Sequence, residues 1–425
     1  MSEAEAQSSP PELPRPTLIL LSGVSLMGGV GYAGMGSVMP AIGRELGFPD
    51  FMVSAVFSLS ALCGLIFSHV WARQADIRGR KPVIEIGVLG FILSMGACGV
   101  VVGIGLLHVL PVMMIFCMFL FARTFNGTMA SASPPATQAY LIERTTPERR
   151  TQAIATLSGA GGLGTIIGPL VTPLMVGTPL GLAGPMIFLA LAAMGVLFAI
   201  RRYLPEDEYA RRFRTRRQAG DLSAPTGHST RVGLKAVLAD RAARPFLLCG
   251  LMVMLCAAAL NQIIGFVVID RVGLSPIASL PYITTTMLAG SVCAVFGQWV
   301  LIPFLKYPPL RLLMLGGGLG IAGALVIVVA GGFPAVVVGY ALMSLGQSFA
   351  FPAVSTGASL AVSREAQAST AGVIASMAGG SYLTTPAVLF LYGHVHSAPF
   401  LLIAVGMGAV VGFTVWAALR RRQGL

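Results

Sequence analysis

Twelve long apolar stretches run through this 425-residue sequence, and they constrain its fold more than any other feature. Each is about 20 residues long, which as a helix is enough to cross a bilayer core of about 30 Å. A mean hydropathy of +0.82 and a content of 55% hydrophobic residues exclude a water-soluble chain. We therefore predict an all-α protein with twelve transmembrane helices, at about residues 17–39, 52–71, 83–106, 110–132, 152–175, 181–200, 246–269, 281–304, 310–331, 334–355, 368–391 and 398–419.

The net charge of +12 is explained by where the basic residues fall between these spans. If the N-terminus lies in the cytoplasm, every Lys and Arg except Arg44, Arg123 and Arg271 falls on a cytoplasmic segment. Cytoplasmic loops of membrane proteins carry such an excess of basic residues. The charge therefore predicts a multi-pass protein of the cell (inner) membrane with both termini in the cytoplasm, and it does not indicate nucleic-acid binding.

The spans divide the chain into two halves. We predict an N-terminal six-helix bundle at 17–200, a basic cytoplasmic linker at 201–245 and a C-terminal six-helix bundle at 246–419. Residues 1–16 are acidic, polar and rich in proline, so we expect a disordered cytoplasmic arm without a cleavable signal. Residues 420–425 are the expected cytoplasmic tail.

A weak internal repeat relates the two halves. Pro135 and Pro169 of the first half recur, at one constant shift, as Pro352 and Pro386 of the second. This spacing favours a parallel pseudo-repeat of two six-helix units.

No pattern of residues suggests catalysis, a metal or a cofactor. No His–Asp, Ser–His or paired-carboxylate set occurs at membrane depth, so we expect no enzyme and no catalytic residue. The cysteines lie in apolar spans without ligand spacing, which argues against disulfides and a zinc site. They are Cys63, Cys98, Cys117, Cys249, Cys256 and Cys293.

A charged turn, Ala72–Pro82, separates the second and third spans. Its ionisable side chains cannot lie in hydrocarbon, so it marks a membrane surface. Gly79 allows a tight backbone turn and Pro82 can begin the next helix. Asp76 can bind neighbouring guanidinium groups. Glu143 of the fourth span is either a salt-bridge partner of this turn or part of a solvated run of charges.

Two charged side chains fall inside spans of the first half. Arg123 lies about thirteen residues into the fourth span, roughly 20 Å from one face at 1.5 Å per residue. A charge at that depth normally faces a cavity or a partner, although Arg123 could also only brace the helices. Glu85 lies one turn inside the third span. It is either a proton carrier or a boundary residue that pairs with Arg80 or Arg123.

Small and polar residues mark further spans. Gly164 and Gly168 of the fifth span leave bare backbone on one helix face, which allows another helix to approach closely, and Pro169 interrupts the hydrogen bonds of that helix. In the second half, polar amides either bond across helices or line a substrate cavity. They are Asn261, Gln262, Gln298 and Gln347. Asp270 and Arg271, at the end of the seventh span, are expected to form an ion pair at the membrane surface.

The charged turn resembles the Gly-x-x-x-Asp-x-x-Gly-Arg-Lys motif between the second and third spans of the major facilitator superfamily. It matches at Asp76, Gly79, Arg80 and Lys81, and it departs at Ala72 and at Ile77, where the family usually has Gly and often Arg.

Two further spans support the resemblance. The fourth is similar to the superfamily's Arg-x-x-Gln-Gly, with Asn126 in place of Gln. The fifth is similar to the antiporters' Gly-x-x-x-Gly-Pro, with Thr172 and Pro173 where that motif closes on Gly-Gly. In the first span, Gly31 stands where proton-coupled drug exporters often carry Asp.

The resemblance, nearest to the twelve-span drug:proton antiporters, implies two six-helix bundles around a cavity that opens alternately to each side. It implies a conformational latch at the charged turn and a role for Arg123 and Asn126 in substrate or proton coupling. Glu85 is the candidate for this coupling from its position, because it is the one carboxylate within a predicted span. The expected function is proton-coupled efflux of a drug or metabolite, and the alternative is import of a sugar, organic acid or siderophore by symport or facilitated diffusion. The expected partners are a small-molecule substrate, protons and the bilayer, and we expect a monomer.

Overall fold

The computed structural model describes residues 14–205, 240 and 243–422. Within them, twelve helices are long and apolar enough to cross a membrane, which confirms the all-α prediction of twelve spans. They are α1 (Arg15–Glu45), α2 (Asp50–Arg78), α3 (Arg80–Leu106), α4 (Val112–Glu143), α5 (Gln152–Val176), α6 (Gly181–Tyr203), α7 (Arg244–Val272), α8 (Leu280–Leu305), α9 (Pro309–Val329), α10 (Phe333–Ala361), α11 (Ser369–His394) and α12 (Ala398–Ala417).

Several helices extend beyond the apolar stretches that predict them. The helix of α5 begins at Pro147, and that of α12 continues to Arg422, into the predicted tail. The second helix extends from Asp50 to Arg78, so most of the charged turn is helical. Polar residues at a membrane surface can continue a helix, because its backbone hydrogen bonds need no apolar side chains.

Three predicted segments lie largely outside the residues that the structure describes. Most of the N-terminal arm (1–16), much of the linker (201–245) and the last residues of the tail (420–425) lie outside the described ranges. The boundaries of the two predicted bundles stay predictions.

Short 3₁₀ or π segments interrupt three helices. In α4, a 3₁₀ turn at Ala130–Ala132 precedes a pair of prolines, which lack the N–H groups that would continue the helical hydrogen bonds. In α8, a π-helical turn covers Gly297–Leu301. In α11, a 3₁₀ turn covers Tyr382–Thr384. Such interruptions leave carbonyl groups that need other donors.

Trp71 of α2 supplies one of these donors. In the 3₁₀ turn of α4, the N–H of Ala132 bonds to the carbonyl of Met129 at 3.0 Å, so the Thr128 carbonyl lacks its usual helical donor. The indole Nε1 of Trp71 donates to that carbonyl. A side chain from the neighbouring helix therefore satisfies the backbone where α4 is interrupted.

The contacts divide the chain into two compact units. Counting described residues only, the first is formed within Met1–Met35 and Leu59–Thr226, and the second within Gly36–Ser58 and Gly227–Leu425. The end of α1 and the start of α2 thus pack with the second unit, although the sequence prediction places them in the N-terminal bundle.

Close backbone contacts hold the helices together within each unit. In the second unit, a Cβ built on Gly316 of α9 would lie 2.5 Å from the carbonyl oxygen of Gly346 in α10. One built on Gly323 would lie equally close to the carbonyl oxygen of Gly339. Such distances are possible only for glycine, and they allow dispersion contacts in lipid, where apolar burial drives little association.

Candidate functional site

Gly79 forms the whole connection between α2 and α3. The first helix ends at Arg78 and the second begins at Arg80. Gly79 has φ 99° and ψ 161°, a region populated essentially only by glycine. The sequence predicted a turn of several residues here. The structure confines it to one residue, because a single glycine in this conformation reverses the chain.

Arg80 connects the ends of three helices. Its guanidinium binds Asp76 one turn back on α2, with Nη2 2.6 Å from Oδ1. It also binds Glu143 at the end of α4, with Nη2 and Nε 2.7 and 3.0 Å from Oε1. Of the two alternatives considered for Glu143, the structure therefore shows the salt-bridge partner. We refer to Asp76, Gly79, Arg80 and Glu143 as the turn network.

Lys81 of the same motif has a different role from Arg80. Its ammonium donates to the carbonyl oxygens of Arg201 and Leu204 at 3.2 and 2.7 Å. These carbonyls lie at and just after the C-terminus of α6, where helical carbonyls lack intrahelical donors and the helix dipole favours a cation. Lys81 therefore caps α6 at the point where the predicted linker begins.

Glu85 lies at the same place, one turn further along α3. Its Oε2 is 3.5 Å from Nε of Arg201. Its ion-pair partner is thus Arg201, neither Arg80 nor Arg123, the two partners considered from the sequence. Arg201 is 61% exposed and Glu85 24% exposed, so the pair lies where water can reach it.

Arg123 and Asn126 lie where α4 packs against its neighbours. Arg123 is only 5% exposed. The Cys98 thiol of α3 lies close enough to interact with its charge. The amide of Asn126 donates to the hydroxyl of Ser60 in α2 at 3.1 Å. A Cβ built on Gly127 would lie 2.4 Å from the Ser60 carbonyl oxygen, so α2 and α4 approach closely beside these side chains. The fourth-span motif therefore combines a buried charge with a close helix crossing.

The glycines of the antiporter-type motif contact α1. A Cβ on Gly164 would lie 2.4 Å from the carbonyl oxygen of Leu26, and one on Gly168 would lie 2.6 Å from the backbone nitrogen of Gly34. Real Cβ contacts do not occur at these distances, so the α1–α5 crossing requires glycine at both positions. Pro169 follows directly, inside the helix. The motif thus creates a backbone-to-backbone contact between two helices.

At Gly31, where drug exporters often carry an acid, a side chain from another helix fills the space beside the glycine. A Cβ on Gly31 of α1 would lie 2.4 Å from the ring of Phe91 in α3. The phenyl ring fills the space that an Asp side chain would need, which gives a physical reason for the glycine.

The polar amides of the second half lie in different surroundings. Asn261 donates to the Ala257 carbonyl at 2.9 Å and lies 3.5 Å from the Tyr340 hydroxyl, which joins α7 to α10. Gln262 is buried, and Gln298 is exposed in the π-helical turn of α8. Gln347 lines a small cavity with Cys256, Met343 and Met407, and about one water molecule would fit there.

One cluster was missed by the sequence analysis. Arg44 near the end of α1 binds Asp50 at the start of α2 through two bonds, 3.2 and 3.0 Å long. The same guanidinium binds Asp270 of α7 through two more, and the hydroxyl of Tyr392 in α11 donates to Asp270 at 2.5 Å. We refer to Arg44, Asp50, Asp270 and Tyr392 as the Arg44 cluster.

The expected pair of Asp270 with Arg271 is wrong. Arg271 donates to the Ile327 carbonyl at 3.2 Å, whereas Asp270 binds Arg44. Adjacent residues near a helix end point in different directions, so they seldom pair with each other. The available sequence signal was the position of Arg44 and Asp270 at the same predicted membrane surface.

Among the residues that the structure describes, no three His, Cys, Asp or Glu side chains form a group that could hold a metal ion. Every constellation above is built from ion pairs, hydrogen bonds and close helix contacts.

Comparisons with known proteins identify a matching family and several relatives. The model of the Major Facilitator Superfamily matches residues 21–386. Multidrug resistance protein 2 of Bacillus subtilis is 29% identical over 198 residues, which cover 45% of this chain and 45% of that protein. Multi-drug resistance efflux pump PmrA of Streptococcus pneumoniae is 30% identical over 137 residues, 31% of each chain. This chain spans less than half the length of the curated relatives it matches.

A solved structure matches over nearly the whole chain. The crystal structure of the peptide transporter POT in complex with sulfate has a TM-score of 0.71 and covers 99% of this chain and 98% of its own. The two sequences are 14% identical, so the similarity shows the fold and carries no information on the substrate.

Proposed function

Because this chain belongs to the major facilitator superfamily, whose members are membrane transporters and not enzymes, we propose that it exports a small molecule in exchange for protons. The observation that carries this proposal is the α1–α5 contact at Gly164 and Gly168, formed by the antiporter-type motif. The similarity to bacterial multidrug efflux pumps supports the same direction of transport.

The proposed mechanism is alternating access. A transporter of this kind must populate at least two states, and a few kcal/mol decide which one dominates. The turn network contributes part of this difference, since each of its two partly exposed ion pairs contributes roughly 0.2–1 kcal/mol. We assign it the role of a latch that favours one state. With the basic loops in the cytoplasm, the latch lies on the cytoplasmic side.

Proton coupling is proposed at Glu85. Gly31 cannot carry a proton, and Glu85 is the carboxylate one turn inside the third predicted span. Glu85 pairs with Arg201 near the surface, so its protonation would remove the attraction between them. Of the two side chains of α3 that hold the end of α6, only Lys81 would then remain bound. Protonation would thus loosen the end of α6.

The proposed substrate is neutral or anionic. Arg123 is a buried positive charge in the first unit, and such a charge disfavours a cation nearby. The carboxylates of Asp76, Glu85 and Glu143 in this unit lie near helix ends and bind Arg80 or Arg201.

Everted membrane vesicles test the exchange directly. A respiration-driven pH gradient, acidic inside the vesicle, quenches an acridine dye, and a compound that enters the vesicle in exchange for protons restores the fluorescence. We expect recovery with neutral or anionic compounds in vesicles that contain the protein, and none in vesicles that lack it. Recovery only with cationic dyes would contradict the proposed substrate class.

The Glu85→Gln variant separates coupling from binding in the same vesicles. We expect it to lose the fluorescence recovery, because a glutamine cannot take up the proton, while Arg73→Gln, an exposed position on the same surface, retains it. Full recovery in Glu85→Gln would move the proton site to another residue.

A further inference from the structure

A small cavity inside the second unit is lined by sulfur-containing side chains from three helices. Cys256 belongs to α7, Met343 to α10 and Met407 to α12, and there is space for about one water molecule. Each of these side chains is at most 6% exposed. Gln347, half-buried on α10, adds an amide to the lining. One thiol, two thioethers and one amide thus surround a space that fits a single small ligand.

Bare glycine backbone leaves room for the sulfur atoms. A Cβ built on Gly320 of α9 would lie 3.3 Å from the Sδ of Met407. One built on Gly406 of α12 would lie 2.9 Å from the Sγ of Cys256. A side chain in place of either glycine would therefore press on a sulfur atom. Gly316 of α9 lines the cavity as well, so the helix backbone comes directly to its wall.

A fourth sulfur atom lies beside the thiol. The Sδ of Met252 and the Sγ of Cys256 are 3.0 and 2.9 Å from the same Cβ position on Gly406, so they are no more than about 6 Å apart. Methionine has three rotatable bonds, so its sulfur can adjust toward an ion bound at the thiol. The thiol itself donates to the Ile403 carbonyl, with 3.9 Å between sulfur and oxygen. One buried thiol does not define a site, but here several thioethers surround it.

The donor atoms determine which ligand suits this cavity. Thiolate and thioether sulfur are soft donors that select ions such as Cu(I), whereas Ca²⁺ and Mg²⁺ require oxygen ligands. Zinc takes thiolate, imidazole or carboxylate ligands, and no His, Asp or Glu is among the described residues that line the cavity. The two thioethers therefore favour a soft metal ion over zinc.

The charge balance selects a monovalent ion. When the Cys256 thiol binds a cation of charge +1, its S–H bond breaks, a sulfur–metal bond forms and the proton leaves to water. The site is neutral before and after this exchange, because the thiolate carries one negative charge and the thioethers carry none. A divalent ion would leave one positive charge uncompensated among apolar helices, which is strongly unfavourable.

We propose that Cys256, Met343 and Met407 form a binding site for a soft monovalent cation, Cu(I) or Ag(I), inside the second unit. Gln347 provides the polar side from which a hydrated ion enters, since it is the less buried part of the lining. One bound ion would connect α7, α10 and α12. The site is separate from the proposed proton coupling at Glu85, and its existence does not depend on the proposed export.

Competition for Cu(I) with the coloured chelator bicinchoninate tests the site in tag-free, purified full-length protein. Cys63, Cys117 and Cys293 are exposed or half-buried, so they are first replaced by alanine to remove other accessible thiols. Under anaerobic, reducing conditions, we expect this parent protein to take one equivalent of Cu(I) from the chelator. Cys256→Ala should lose that equivalent, because the thiolate is the one charged ligand.

Controls exist for each kind of ligand. Cys249→Ala should keep the bound equivalent, since Cys249 is buried on the same helix but does not line the cavity. Met343→Leu and Met407→Leu keep the side-chain volume and remove the sulfur. Each should weaken Cu(I) binding at least about tenfold, a cost that is typical even of residues that only support a metal ligand. Met254→Leu, buried on α7 away from the cavity, should bind like the parent.

Four results would overturn the proposal. They are a parent protein that takes no Cu(I) from the chelator, Cu(I) binding that survives in Cys256→Ala, an equal loss in Cys249→Ala, and tighter binding of Zn(II) than of Cu(I). If Cys256→Ala did not fold, unchanged affinities in Met343→Leu and Met407→Leu would overturn it instead. The titration uses neither substrate nor a proton gradient, so its outcome is distinguishable from that of the transport assays.

Discussion

Single residues determine the geometry of the motifs in the first half, and Gly79 is the clearest example. Its φ of 99° makes the one-residue connection between α2 and α3 possible, and that connection places Asp76 and Arg80 within bonding distance. The backbone of one glycine therefore determines the geometry of the turn network.

We predict that Gly79→Ala lowers the stability by about 1–3 kcal/mol, because the side chain strains a backbone region that only glycine populates readily. Thermal unfolding of the detergent-solubilised protein should show a lower Tm. Gly103→Ala, within α3, is the control, since nothing lies within 4 Å of the added Cβ there. Equal Tm values for the two variants would contradict this account of Gly79.

At the same scale, we predict that Arg80 and Glu143 act as a pair. Arg80→Gln and Glu143→Gln both remove the Arg80–Glu143 ion pair, and Arg80→Gln also removes the pair with Asp76. The double variant should therefore lower the Tm little more than Arg80→Gln alone does. Arg73→Gln, exposed in the same part of α2, should have almost no effect. Shifts that add fully in the double variant would show that the two residues are independent.

The sequence predicts some of these charged residues but not all of their partners. The residues of the turn network could be identified from their order along the chain, since Gly79, Arg80 and Lys81 are consecutive. The partner of Arg44 could not be identified in this way, because Asp270 is 226 residues away and other residues are predicted at the same membrane surface. Arg201 was missed as the partner of Glu85 for the same reason: only the packing of α6 beside α3 brings it there.

At the scale of helices, glycine contacts determine which elements pack closely. The sequence predicted that Gly164 and Gly168 allow close approach, and the structure identifies α1 as the helix that approaches. The glycine spacing specifies one face of α5 but contains no information about its partner. The opposing glycines of α1, Gly29 and Gly34, were visible in the sequence without indicating α5.

We predict that Gly168→Ala destabilises the α1–α5 crossing by about 1–3 kcal/mol, because the methyl group overlaps the backbone of α1 and no flexible side chain can yield. A lower Tm and a lower yield of monodisperse protein would show this. Gly162→Ala, in the same helix but with open space around its Cβ, is the control and should behave like the parent. A tolerated Gly168→Ala would mean that α1 and α5 are further apart than described.

At the scale of the whole molecule, hydropathy sufficed to predict twelve helices, because the bilayer sets a minimum length for each span and excludes exposed backbone. It did not predict helix ends such as that of α2, which continues to Arg78, since helical hydrogen bonding at the surface does not depend on hydropathy. Nor did it predict that residues 36–58 pack with the second unit. That division depends on contacts distant in sequence.

The central claim, exchange of a substrate for protons, is tested most directly in proteoliposomes of the purified protein with an imposed pH gradient. A compound identified in the vesicle assay is the probe, and the gradient is applied in both directions. The account predicts accumulation when the interior is acidic, since protons leaving the liposome drive the substrate inward, and loss of this accumulation in Glu85→Gln. Accumulation driven by an acidic exterior would show symport, and movement that ignores the gradient would show a facilitator. Either result would contradict the account.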